Sequence, residues 1–261
     1  MSSYDFIVDN IRFSYSSVST FETCAHSFRL SYIDACLRKN NFYSDFGTLV
    51  HEVFERFFKG ETEMSELSDY YRNNYSKIVK SDPPPIPVGL GDKYKEQGQF
   101  FFDFFFFEKD KYNVLFVEDK IDLMLDGFMF TGRPDLVLQN KETGETTLFD
   151  YKTSTPFRID KRNGKEIADR KKLNGYYKQM YTYTFALKKE RNISVDKISL
   201  WFPRLDRIET IEWKHEDEVA SVNWLSDTIK AIKNEEVFPY NNEGKYFCDN
   251  LCGVRDFCEY R

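Results

Sequence analysis

Asp135, Asp150 and Lys152 are the residues whose types and spacing could do chemistry. Asp150 and Lys152 fall two positions apart in Thr147-Leu148-Phe149-Asp150-Tyr151-Lys152-Thr153-Ser154, a short apolar run of strand character. Strand side chains alternate, so the carboxylate and the ammonium face the same way. Asp135 sits one strand earlier, in Gly132-Arg133-Pro134-Asp135-Leu136-Val137, with a Glu142-Thr143-Gly144 turn between. If the two strands pair across that turn, both carboxylates share one end of a sheet. Carboxylates that close repel unless a cation sits between them, and a hard divalent ion such as Mg²⁺ or Mn²⁺ suits oxygen ligands. Lys152 would then orient a water or stabilise charge building on a phosphate. An Asp-x-Lys pair taken alone is commonly a weak surface ion pair. The constellation carries the chemical reading.

A second group closes the chain. Of five cysteines, three fall within eleven residues, as Cys248-x3-Cys252-x5-Cys258. Disulfides are rare in a reducing compartment, so such a trio points to metal. Structural zinc usually shows two close cysteine pairs. Here one trio stands alone, and a fourth ligand must come from afar: Cys24 first, Cys36 next.

The elements that must position these residues change character along the chain. Ser17 or Ser19 can cap a helix reaching about Tyr32. A second helix covers Ser44–Gly60, with Phe46, Leu49, Val50, Val53, Phe54 and Phe57 on its apolar side and Gly60 as its stop. A third covers Met64–Val79, and the Pro83–Pro87 region breaks it. A fourth spans about Lys93 to Lys109. Its phenylalanine run, Phe100–Phe107, holds seven phenylalanines and reads as core, a partner interface or a stacking wedge for single-stranded DNA. β-rich runs follow at 114–125, 128–140 and 145–153, with an Asp126-Gly127 turn between the first two. A long helix from about Asp169 to Lys189, strands at 197–205 and 207–214, and a helix from about Glu216 to Asn234 complete the order. This is an α/β (α+β) core behind a helical N-terminal part. Residues 1–261 read as one unit: a helical part to about 110, a core over about 111–235 and a cysteine-rich tail over 236–261.

The motifs together resemble the PD-(D/E)XK nuclease superfamily, in its RecB-like branch with the AddB and CRISPR-associated RecB-like nucleases. Gly132-x-x-Asp135 followed by Asp150-Tyr151-Lys152-Thr153 carries the likeness. Gly47-Thr48-Leu49-Val50-His51 resembles the branch's G-x-x-x-H helix, Gln179-Met180-x-x-Tyr183 its Q-x-x-x-Y helix, and Ser16 to Tyr32 its first helix. The likeness runs from about residue 13 to residue 258. It implies a restriction-endonuclease-like core: a mixed sheet flanked by helices, with a C-terminus stapled by an iron–sulfur cluster. It implies that His51, Asp135, Asp150 and the Tyr151 carbonyl hold the metal, and that Lys152, Asp150, Asp135 and Glu118 are catalytic, with Asp119 an alternative to Glu118. Cys24, Cys248, Cys252 and Cys258 would hold a [4Fe–4S] cluster, with Zn²⁺ the alternative. Gln179 and Tyr183, on one helix face, would contact DNA phosphate or the active-site water.

Residues 158–172 hold seven basic and three acidic side chains, which gives Arg158, Lys161 and Arg162, with Arg133 and Arg29, as DNA contacts. The expected activity is a divalent-metal-dependent DNA exonuclease acting on single-stranded or frayed ends, in recombination, repair or CRISPR and phage DNA processing. The alternative is a silent module that holds DNA ends within a complex. No G-x-x-x-x-G-K-[ST] loop is present, so unwinding falls to a partner such as a helicase, recombinase or CRISPR adaptation protein. The net charge of -6 allows only a local basic groove. No apolar run approaches the roughly 18 residues that would span a bilayer, and the first residues lack a signal-peptide pattern. A cytoplasmic protein with no membrane contact is expected.

Overall fold

The computed structural model describes residues 4–241 and 244–260. Helices come first: α1 (Asp5–Asp9), α2 (Tyr15–Thr23), α3 (Ala25–Phe28) with a wider turn over Arg29–Ile33, α4 (Phe42–Lys59), α5 (Leu67–Ile78) and α6 (Leu90–Asp103). Seven strands follow: β1 (Tyr112–Val117), β2 (Ile121–Leu125), β3 (Phe128–Gly132), β4 (Leu136–Asn140), β5 (Thr146–Tyr151), β6 (Phe157–Ile159) and β7 (Glu166–Ala168). Then come α7 (Arg170–Arg191), β8 (Lys197–Phe202), β9 (Arg207–Glu212), α8 (His215–Asn234) and α9 (Lys245–Asn250).

Five strands form one mixed sheet in the order β1-β4-β5-β8-β9. β5 and β8 are parallel, and the other pairs are antiparallel. Alternation along β5 separates two cores. Leu148 faces a cluster with Met180 and Leu187 of α7 and Leu225 and Ile229 of α8. Phe149 and Tyr151 face a second cluster with Leu49 and Phe54 of α4, Tyr71 of α5 and Phe101 of α6. Phe54 is fully buried, and its ring lies 4.2 Å from that of Tyr151, nearly parallel. Truncating such a ring typically costs about 3–5 kcal/mol, so α4 is anchored directly beneath the strand that carries Asp150.

α4 is set at both ends by its own sequence. The Asn41 side chain accepts from the backbone N–H of Tyr43 (3.0 Å) and Ser44 (3.1 Å), and Gly60 closes the helix at φ +75°. Such a cap is worth about 1 kcal/mol.

Several boundaries differ from the sequence expectation. The first helix is capped by Ser14, not Ser17 or Ser19, and breaks at Cys24, which is extended and accepts from Ser27 N–H through its sulfur. The run at 114–125 is two strands in different sheets, because the chain turns at Glu118 with φ +51°. The run at 128–140 divides the same way around Arg133-Pro134. β2 and β3 instead form a separate hairpin through Asp126-Gly127, both at positive φ. That hairpin packs into the α7 core, and Phe13 bonds to its outer strand through Met129 O and Thr131 N–H. α6 ends at Asp103, so the phenylalanine run straddles a helix end. Phe101 and Phe102 are core, while Phe100, Phe104 and Phe106 are exposed. The basic stretch after β5 folds as the β6–β7 hairpin. Among the described residues no helix is long and apolar enough to cross a membrane.

Candidate active site

The β4–β5 register pairs Leu136 with Phe149. The residue before one and the residue after the other, Asp135 and Asp150, therefore come to the same end of the sheet. Asp135 is fixed there by its Oδ2, which accepts from the Tyr151 backbone N–H at 2.6 Å. α4 passes over this end and delivers His51, one turn beyond Gly47. The His51 ring bridges two acceptors: Nδ1 lies 2.9 Å from Glu118 Oε1, and Nε2 lies 3.0 Å from the Tyr151 carbonyl. Asp135 Oδ1 stands 3.6 Å from the same Nδ1. His51, Glu118 and Asp135 thus offer ligand atoms all within 4.8 Å of one another. Glu118 reaches the group from the left-handed turn that ends β1, with its N–H on Asp135 O at 3.0 Å. A non-glycine residue held at such a φ is a strained position, of the kind that clusters at functional sites.

Asp150 stands next to this trio and engages Lys152. Lys152 Nζ is 2.6 Å from Asp150 Oδ2, charge against charge, and donates to Gln179 Oε1 at 2.8 Å. Asp150 is only 2% exposed, and the Lys152 ammonium is the partner of its Oδ2. The Gln179 amide then donates to Tyr183 OH at 3.0 Å, one turn along α7. Tyr183 explains Gly132: a Cβ there would sit 2.9 Å from the Tyr183 ring, closer than real contacts allow. Gly132, Tyr183, Gln179, Lys152 and Asp150 form one chain of contacts.

Burial and like charge perturb the titrating groups here. For His51 burial alone would lower the pKa, but Asp135, Glu118 and Asp150 outweigh it and raise it to about 9. Burial pushes Asp135 up to about 8, with Asp150 and Glu118 adding to it against His51 and Lys152. For Lys152 burial opposes the charge, yet Asp150 and Asp135 hold its amine above the ordinary value. The carboxylates thus favour the charged form of Lys152. An imidazolium between Glu118 and the Tyr151 carbonyl supplies the positive charge that the crowded carboxylates demand.

The sequence model of the PD-(D/E)XK nuclease superfamily matches residues 12–259. The chain belongs to the PD-(D/E)XK nuclease superfamily. Among solved structures, one described as a "Putative exonuclease" from Eubacterium rectale superposes with a TM-score of 0.52 at 14% identity, over 98% of this chain and 90% of that one. At this identity it shows the shared fold alone. A second, SSO0001, aligns over 89% of this chain and 92% of its own at 16% identity, with a TM-score of 0.33. No curated protein matches the chain.

The remaining candidates of this nuclease-family chain fall in different places. Arg133 is exposed on the rim of the His51–Glu118 pocket. Arg158 lies on β6, and Lys161 and Arg162 at the hairpin turn, all exposed and outside the contacts that hold the site. Arg29 pairs with Asp34. Asp119 is exposed. Tyr176, Ser154 and Arg204 were not legible as site residues. The Lys152 amine lies 4.8 Å from the centre of the Tyr176 ring, whose hydroxyl shares a 2.6 Å hydrogen bond with Ser154. Tyr176 lies three residues before Gln179, a spacing that could have found it. Arg204 donates to the Thr153 carbonyl at 3.1 Å from a different element, and nothing near it in sequence marks it.

Cys24, Cys248, Cys252 and Cys258 line a single pocket, and Cys36 does not. All are free thiols. No three of these sulfurs lie within 4.8 Å of one another. Burial raises the Cys258 thiol, and the thiols of Cys252, Cys24 and Cys248 add to it. His26 lines the same pocket with its Nε2 buried and without a hydrogen-bond partner.

Proposed function

We propose that this protein is a divalent-metal-dependent deoxyribonuclease that hydrolyses phosphodiester bonds at single-stranded or frayed DNA ends. The observation that carries this reading is the juxtaposition at the end of β5 of the His51–Glu118–Asp135 trio with the Asp150–Lys152–Gln179 chain.

The trio fits a hard divalent ion. Its donors are two carboxylates and an imidazole, and its carboxyls are crowded enough, with Asp150 beside them, to raise Asp135. His51, Glu118, Asp135 and Asp150 would hold the ion, together with the Tyr151 carbonyl that now accepts from His51. Bound Mg²⁺ or Mn²⁺ supplies Lewis-acid activation of water and charge neutralisation at the phosphate. The chain's own part is positional. Asp150 and Gln179 fix the Lys152 ammonium, which meets the negative charge that develops on a phosphate oxygen. Tyr183, wedged against Gly132, holds Gln179 in place. Among the DNA contacts, Arg133 borders the site directly, and Arg158, Lys161 and Arg162 extend a basic hairpin beyond it.

The four cysteines are the number and type of ligand that a [4Fe–4S] cluster takes, and they line one pocket. Zn²⁺ is the alternative for the same four thiolates. Bound there, the cluster supplies a staple between residue 24 and the C-terminal segment.

Degradation of single-stranded DNA labelled at either end, with Mn²⁺ or Mg²⁺, tests the reading. Metal-dependent loss of label from wild type, abolished in Asp135→Asn, is expected. Binding to ends with no turnover by protein of measured iron and sulfide content would instead make this a silent end-binding module.

A further inference from the structure

Beyond the catalytic end of β5 the chain carries a feature that the reaction does not use. Phe100 and Phe104 are 65% and 73% exposed, with ring centres 4.8 Å apart. Gln97, Phe100 and Phe104 recur at helical spacing, so they share one face of α6 and its last turn, and all three border one groove. Exposed aromatic pairs of this size are not needed for folding, since Phe54, Phe101 and Phe102 already fill the core beneath.

The groove's inner wall is Arg204. Its Nε and Nη2 donate to Gln97 Oε1 at 3.0 and 2.8 Å, and its Nη1 to the Thr153 carbonyl at 3.1 Å. The guanidinium stacks on Tyr94, 3.4 Å from the ring centre. Five N–H groups exceed those bonds, which leaves donor capacity on a cation that is already immobilised. Lys172 grips the same post-catalytic loop, donating to the Thr155 carbonyl at 3.3 Å. Burial depresses its amine, with Asp169 opposing and the Arg204 charge adding to it. Neither cation forms an ion pair among the described residues. Glu96 and Asp206 also border the groove, on the aromatic side.

We propose that Phe100 and Phe104 stack on bases of the single-stranded substrate, while Arg204 and Lys172 hold the backbone phosphate between those bases and the catalytic centre. This rests on the nuclease reading above and adds the strand's path. Thr153, whose carbonyl Arg204 holds, directly follows Lys152, which ties the groove's inner wall to the segment that carries the chemistry. Sequence-tolerant binding is expected, because every base offers a face.

The test compares wild type with Phe100→Leu/Phe104→Leu, which keeps apolar bulk but removes the rings, and with Phe104→Trp. Both positions are exposed, so unchanged melting is expected. Affinity for a fluorescent oligothymidine is measured by anisotropy in EDTA. Turnover is measured with Mn²⁺ on the same strand and on bis(p-nitrophenyl) phosphate, which has no bases. The double leucine variant should bind oligothymidine about 10-fold more weakly, hydrolyse the small diester at the wild-type rate, and raise KM for DNA rather than lower kcat. Phe104→Trp should keep or strengthen binding. Lys172→Gln should reduce the salt dependence of binding by about one phosphate's worth. Oligothymidine binding within twofold of wild type in the leucine variant, with normal cleavage, overturns the proposal and leaves the groove to a protein partner. If wild type neither binds nor cleaves, the nuclease reading itself falls and takes this one with it.

Discussion

The histidine–carboxylate site and the cysteine pocket both gather side chains of types that can ligate metals, yet the chain holds them very differently. At the first, nearly every polar atom is engaged. His51 spends both ring nitrogens, Asp135 takes the Tyr151 N–H, and Lys152 is held between Asp150 and Gln179. At the second, the sulfurs have weak contacts, among them Ser27 N–H to Cys24 at 3.4 Å, Ser27 Oγ near Cys252 at 3.7 Å, and Tyr240 OH near Cys248 at 3.7 Å. The first is organised by the fold's own hydrogen bonds. The second joins segments more than two hundred residues apart, and the proposed cluster would tie them together. Function can demand a prebuilt site because a catalytic constellation must be held to a fraction of an ångström. A staple needs only that the four thiols converge.

The widest contrast is expected on stability. If the proposed cluster is bound, Cys252→Ser removes one anchor of a cross-link that constrains a very long loop, a restraint worth on the order of 3 kcal/mol or more by analogy with disulfides. At about 2–4 °C per kcal/mol for a chain of this size, melting should drop by about 6–12 °C, with early proteolysis of the C-terminal segment. Glu118→Gln, in the prebuilt site, should leave melting within a few degrees while reducing turnover. Equal losses of stability in both variants would erase the contrast.

A smaller effect sharpens the claim that the active site is prebuilt. Gly132→Ala places a methyl against the Tyr183 ring, and overpacking of this kind costs about 1–3 kcal/mol. Tyr183→Leu in the same chain should recover much of that stability but not the turnover, because Gln179 then loses its support. Full stability of Gly132→Ala alone would show that Tyr183 is free to move.

The titration of the trio gives the smallest shift, and its sign is fixed. Asp135 rises from 3.8 to about 8 and His51 from 6.5 to about 9 in the fold. Both groups bind protons more tightly folded than unfolded. Their contribution is present at low pH and is lost as pH rises through about 4–8 for Asp135 and about 6.5–9 for His51. In EDTA the wild type should therefore lose melting temperature between pH 6 and 9 relative to Asp135→Asn. Mn²⁺ should counter that loss and bind more tightly as pH rises, since it competes with the same protons. A wild type that gains on Asp135→Asn over this range in EDTA would contradict the assignment.

Much of this was legible in short spacings. The Asp150–Lys152 interval, the turn at 142–144 and Gly47-x-x-x-His51 are local patterns, and pairing of β4 with β5 follows from them. What the sequence hid is where the chain leaves a regular path. Glu118 turns in a left-handed conformation with no glycine to mark it, so Glu118 and Asp119 could not be separated. The same turn sends β2 and β3 out of the main sheet, where an unbroken apolar run suggested continuous strands. Cys24 interrupts a helix that propensity alone would extend. Arg204 and Gln97 meet across 107 residues, and no local period reports such a contact.

The central claim is that the trio holds the ion and Lys152 works on the phosphate. It is tested most directly by measuring Mn²⁺ affinity and single-stranded DNA cleavage together in wild type and Lys152→Ala. The account predicts a similar Mn²⁺ affinity in both proteins and a fall in cleavage of about 100-fold or more in the variant. Cleavage by Lys152→Ala at the wild-type rate, with the ion bound, would contradict it.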